Sequence, residues 1–124
     1  MSNLRSETNA PSILLVEDDG LLRMTIADFL RDRGYPVVEA TSGDEAISTL
    51  ETVGDVDVVF SDVHMPGNVD GFGLARWVSR HRPEVPVLLT SGVYTEDGVV
   101  PKPYDVADVE ERIKRLLNTQ PLSR

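Results

Sequence analysis

The 124-residue sequence contains no cysteine. Disulfides and thiolate metal sites are therefore excluded, which suits a reducing compartment. Positive charge is also scarce: 12 lysines and arginines stand against 21 aspartates and glutamates, for a net charge of -9. Direct binding to DNA or to an anionic membrane needs a basic face, so neither is expected. A protein partner carrying a basic patch suits this charge better. No apolar run approaches the roughly 18 residues of a membrane span. The first eleven residues lack the apolar core of a secretory signal. These absences together read as a cytoplasmic protein. What is present is ordinary: 40% hydrophobic residues, enough for one packed domain and hardly more at this length. Residues 1–11 and 118–124 read as flexible tails around a domain spanning 12–117, with no effector domain expected after it.

Apolar periodicity divides that domain into alternating strands and helices. Ser12-Ile13-Leu14-Leu15-Val16-Glu17 is a continuous apolar run, as in a strand buried on both faces. Leu22, Ile26, Phe29 and Leu30 recur at helical spacing over 21–33, and Gly34 is placed to end that helix. Residues 36–40 read as a short strand. Ser42-Gly43-Asp44-Glu45 has the spacing of a capping box and opens a helix to about Glu51. A central strand follows over 57–61, then a loop, then a helix over 71–82 with Leu74, Ala75 and Val78 inward. Residues 86–90 read as another buried strand and Val99-Val100 as a brief last one. Asp105 caps a closing helix with Val106, Val109, Ile113, Leu116 and Leu117 on one face. Such alternation predicts an α/β fold with a parallel sheet and helices on both faces.

In such folds ligand sites form at the carboxyl edge of the sheet. Three acidic residues fall at strand ends here: Glu17 and Asp18 after the first strand, and Asp62 after the central one. Three clustered carboxylates repel one another unless a cation joins them. Lys102, in Val100-Pro101-Lys102-Pro103, and a divalent metal would supply that charge. The set reads as a site that accepts a phosphoryl group. Asp19, one place beyond the pair, reads as the cap of the following helix.

The motifs Leu15-Val16-Glu17-Asp18-Asp19, Ser61-Asp62-Val63-His64-Met65-Pro66, Leu89-Thr90-Ser91-Gly92 and Lys102-Pro103-Tyr104 occur in the order found in response-regulator receiver domains. The chain resembles that family from about Ser12 to Leu117. The resemblance implies a doubly wound, flavodoxin-like receiver fold: a five-stranded parallel sheet of order 2-1-3-4-5. It implies a stand-alone response regulator of a two-component system. Asp62 would be the phospho-acceptor and a phosphohistidine on a histidine kinase or histidine phosphotransfer protein the donor. Mg2+ would be bound by Asp18, Asp62 and the backbone carbonyl of His64, with Glu17 acting through water. Lys102 would contact a phosphoryl oxygen, and Lys102-Pro103 would be a cis bond. Ser91 would be the hydroxyl that bonds the phosphoryl group, with Thr90 on the opposite face of the strand. The His64 side chain reads as exposed, Trp77 and Phe72 as packing residues, and His81 as a solvated helix end.

The sequence departs from the family in three places. The family has a full helix between the strand bearing Ser91 and the strand before Lys102. Here only residues 92–101 stand between Ser91 and Lys102, so that fourth helix is expected to be reduced or absent. The position three before the lysine, an aromatic in many receivers, is Val99; Tyr94 is the nearest preceding aromatic. Gly67-Asn68-Val69-Asp70-Gly71 is one residue longer than usual. The leading expectation is a phospho-acceptor that is not a metabolic enzyme. It would signal to an unknown downstream protein by contact or act as a phosphate sink. A haloacid-dehalogenase-like phosphatase would want a second acid where His64 stands, and room for a cap domain. A non-phosphorylated interaction module is the alternative: the short link argues for it and the retained acidic residues argue against it.

Overall fold

The computed structural model describes residues 10–93 and 98–118. Five strands and four helices alternate: β1 (Ile13–Val16), α1 (Gly20–Asp32), β2 (Val37–Ala40), α2 (Gly43–Thr52), β3 (Val58–Asp62), α3 (Gly71–His81), β4 (Val87–Ser91), β5 (Val99–Pro101) and α4 (Val106–Asn118). The strands form one parallel sheet of order β2-β1-β3-β4-β5. This is the expected order. α4 runs one residue beyond the expected end at Leu117. The two expected tails otherwise fall almost wholly outside the described residues.

Strand alternation explains how a continuous apolar run serves two layers. Ile13 and Leu15 of β1 face one side, where Ile26, Ala27 and Leu30 of α1 and Val109 and Ile113 of α4 close over Val58 and Phe60. Leu14 and Val16 face the other, meeting Ala46 and Leu50 of α2 and Leu74 and Val78 of α3 over Val59. All four β1 side chains are fully buried. Each such Leu or Ile contributes about 1.5–3 kcal/mol by leaving water.

Local signals set the helix ends. The Asp19 carboxylate accepts from the Leu21 and Leu22 amides at 3.1 Å, opening α1 as expected. Gly34 ends that segment with φ +98°, a conformation that favours glycine. Ser42 accepts from the Glu45 amide, and the Glu45 carboxylate accepts in turn from Thr41. Asp70 caps α3 by accepting from the Gly73 amide at 2.8 Å.

The link from β4 to β5 is seven residues, 92–98. No helix stands there among the described residues; Tyr94 and its neighbours 95–97 lie outside them. Parallel neighbours ordinarily need a crossover of about a dozen residues. The register shows why fewer suffice. β5 starts beside Leu89 and pairs only as far as Ser91. The chain therefore returns by just two residues, about 7 Å, before pairing again. The result is a thin third cluster of Val63, Leu89 and Val99, covered by Phe72 and Ala75 of α3. Val93, two residues past the end of β4, is 72% exposed.

Candidate functional site

β1 and β3 are neighbours in register, Val16 opposite Ser61, so both chains leave the sheet at the same edge. That places Glu17 and Asp18 next to Asp62. One carboxylate oxygen from each of the three lies within 4.8 Å of the others. Glu17 and Asp62 are buried, and Asp18 is exposed.

Lys102 enters from the end of β5. Its amide donates to the Ser91 carbonyl at 3.0 Å, tying it to the end of β4. The Lys102–Pro103 peptide is cis, as the resemblance implies. The ammonium Nζ donates to Asp62 Oδ2 at 3.0 Å and lies 3.8 Å from Glu17 Oε1. One cation thus serves two buried carboxylates, with Asp18 beside them.

Burial pushes the Glu17 carboxyl up from its ordinary value, and the Asp62 charge adds to this; the Asp19 amide and Lys102 pull the other way. Glu17 Oε2 accepts from that amide at 3.1 Å. The donor set is carboxylate oxygen throughout, which suits a hard divalent cation. A dication would cancel the excess of three negative charges over one positive.

Ser91 and Thr90 separate as strand alternation requires. The Thr90 hydroxyl donates to the Val100 carbonyl at 2.7 Å and is spent within the sheet. Ser91 Oγ accepts from the Val93 amide at 3.0 Å, linking the end of β4 to the segment beyond. His64 is exposed, two residues past Asp62. His81 is exposed and stacks on Trp77 with ring centroids 4.4 Å apart. Trp77 and Phe72 pack against the second and third clusters.

Three residues at the site escaped the sequence reading. Arg23 of α1 donates to the Glu17 carbonyl at 2.9 Å and to the Glu39 carboxylate at 3.0 Å, fixing the end of β1. Gly71 passes so close beneath β3 that a Cβ there would collide with the Asp62 carbonyl oxygen and Val63 Cα. Tyr104 packs edge-on against Phe60, centroids 5.8 Å apart. Its buried hydroxyl has no hydrogen-bond partner among the described residues. Burial raises the Tyr104 phenol pKa above the usual range, reinforced by the charges of Glu17 and Asp62. Of these, the Arg23–Glu39 pairing carries no local sequence signal, whereas Gly71 and Tyr104 stand inside segments already singled out.

Residues 13–114 match the family described as the response regulator receiver domain. The sensor kinase CckA of Brucella abortus (strain 2308) is 36% identical over 126 aligned positions, covering 91% of this chain and 13% of that protein. The crystal structure of the receiver domain from the hybrid histidine kinase CckA superposes with a TM-score of 0.73 at 42% identity, over 86% of this chain and 98% of that one. The response regulator TrrA of Thermotoga maritima, crystallised in complex with Mg(2+)-BeF, gives a TM-score of 0.76 at 26% identity, over 86% and 99% of the two chains. The chain spans 13%, 50% and 52% of the length of the first three curated relatives it matches.

Proposed function

The chain belongs to the response regulator receiver family, and from that premise we propose that it accepts a phosphoryl group on Asp62. The donor would be a phosphohistidine on a histidine kinase or histidine phosphotransfer protein. The observation that carries this reading is the 3.0 Å contact between Lys102 Nζ and Asp62 Oδ2 within a cluster of three carboxylates.

A carboxylate oxygen of Asp62 attacks phosphorus, the P–N bond to the donor imidazole breaks, and its electron pair stays on that nitrogen, so that an imidazole already protonated at its other nitrogen leaves neutral. An acyl phosphate remains on the aspartate. Lys102 is held by a backbone bond but carries its charge on a flexible stem, so its ammonium can follow the charge onto a phosphoryl oxygen. Asp18, Asp62 and the His64 backbone carbonyl would hold Mg2+ directly and Glu17 through water. When bound, that ion neutralises the nest so that an anionic phosphoryl group can approach. Hydrolysis of the acyl phosphate resets the protein, which is a signalling cycle rather than metabolic turnover.

Ser91 would donate to the phosphoryl group while its oxygen still accepts from Val93. The modified state would then be felt in residues 92–101. Val99 stands where many receivers carry an aromatic, so the readout runs through this short link instead. Output passes by protein contact, as the charge of -9 disfavours nucleic acid. A second reading, an interaction module that is never phosphorylated, is favoured by the absence of a helix from the described part of that link. Phosphotransfer from a panel of phosphorylated histidine kinases separates the two. We expect label on the wild-type chain from at least one donor and none on Asp62→Asn. Equal labelling of both chains would reject Asp62 as acceptor, and no labelling from any donor or from acetyl phosphate would favour the second reading.

A further inference from the structure

α2, α3 and the loop from β3 to α3 border an open groove of about 650 Å³, on the side of the sheet opposite α1 and α4. Its walls combine apolar side chains, Met65, Val69 and Trp77, with the guanidinium groups of Arg76 and Arg80. Arg76 and Arg80 are one helical turn apart, and so are Trp77 and His81, so α3 presents a basic stripe beside an aromatic one. Both arginines are exposed, and neither forms an ion pair with a described carboxylate. The single carboxylate in the lining, Asp70, already accepts from the Gly73 amide. A chain with net charge -9 thus gathers two guanidinium groups, neither paired with a described carboxylate, at a concave surface of mixed polar and apolar character.

We infer that this groove docks an acidic amphipathic helix of a partner protein. Charge complementarity selects the occupant. Acidic side chains one turn apart would meet Arg76 and Arg80, and apolar ones between them would lie on Trp77, Met65 and Val69. A nucleic acid would meet two arginines but also the repulsion of the chain's excess negative charge. The inference goes beyond the phosphoryl chemistry, and binding here does not require it. The groove is linked to that site through the chain, because its lining residues His64 and Met65 stand two and three places past Asp62.

Trp77 is the only tryptophan, so its fluorescence reports this groove alone. The full chain is titrated with a synthetic helical peptide carrying glutamates one turn apart and leucines between them. A version with lysines for glutamates, a single-stranded oligonucleotide and sodium phosphate serve as controls. We expect saturable binding of the acidic peptide only, weakened about tenfold by charge reversal in Arg76→Glu/Arg80→Glu. Arg76→Gln/Arg80→Gln guards against misfolding and should show a smaller loss in the same direction, with circular dichroism unchanged. No binding, equal binding of the lysine peptide, or affinity indifferent to both arginine variants would overturn the proposal. Competition by phosphate at similar concentration, or tighter binding of the oligonucleotide, would overturn it in favour of an anion or nucleic-acid site.

Discussion

Glu110 and Asp62 are both buried carboxylates, at opposite ends of one sheet, and they are neutralised very differently. Glu110 of α4 receives Arg33 Nε at 2.7 Å, the Tyr35 hydroxyl at 2.8 Å and, more distantly, Lys114 at 3.8 Å. Tyr35 stands two residues before β2, so this cluster closes the amino edge of the sheet by joining α4 to the turn after α1. At the carboxyl edge Asp62 and Glu17 share one lysine, with Asp18 adding a further negative charge. A buried ion pair is tolerated when the remaining oxygens are also satisfied. The first cluster has cations to spare for its one carboxylate, whereas the second has a single ammonium for three. A complete network holds a fold together; a standing deficit of positive charge, placed where strands end, is what a bound cation would offset.

The largest expected contrast is in stability. Glu110→Ala should cost about 3 kcal/mol, because it removes the acceptor of the buried Tyr35 hydroxyl and the partner of the exposed Arg33, and unties α4. Asp62→Asn should change stability by less than about 1 kcal/mol, and in the stabilising direction, since it relieves repulsion. Urea unfolding of both variants measures this, and equal losses would erase the distinction between the two clusters.

Magnesium sharpens it next. Saturating Mg2+ should stabilise the wild-type protein by about 1–3 kcal/mol and raise its melting temperature. Glu110→Ala should retain that gain, while Asp18→Asn/Asp62→Asn should lose it. A gain surviving in the double variant would place the ion elsewhere.

A smaller effect concerns pH in the absence of magnesium. The folded-state pKa of Glu17 is raised from 4.5, so the folded chain holds that proton more tightly than the unfolded one. The contribution is fully present below 4.5 and is lost as pH rises through the raised value. Melting temperatures across that range should fall less steeply in Glu17→Gln than in the wild type.

The smallest contrast lies between two tyrosines. Tyr35 donates to Glu110, whereas the buried Tyr104 hydroxyl has no partner among the described residues. Tyr35→Phe should destabilise by about 1 kcal/mol and Tyr104→Phe should stabilise by up to about 1 kcal/mol. Losses of the same sign in both would show that Tyr104 is satisfied in solution.

Much of this was legible from sequence because it is local or periodic. Alternation in Ile13-Leu14-Leu15-Val16 fed both faces of the sheet, Asp19 and Ser42 capped the helices they precede, and the strand ends carried Glu17, Asp18, Asp62 and Lys102 to one edge. The reading failed where partners are distant in the chain. Tyr35 and Glu110 are 75 residues apart, and no spacing rule joins them. Arg23 meets Glu39 only because β2 lies beside β1. Periodicity starts a helix at Gly71, but it does not show that the lack of a side chain there is what lets α3 start directly beneath Asp62. The groove on α3 depends on α2 and a loop meeting it, which helical periodicity alone does not show.

Incubation with acetyl phosphate, with and without Mg2+, followed by intact mass and peptide mapping, tests the carboxyl-edge cluster most directly. The account predicts one added phosphoryl group, dependent on the metal, on the peptide containing Asp62 and lost in Asp62→Asn. An unchanged mass with magnesium present, or a phosphoryl group mapped to another residue, would contradict it.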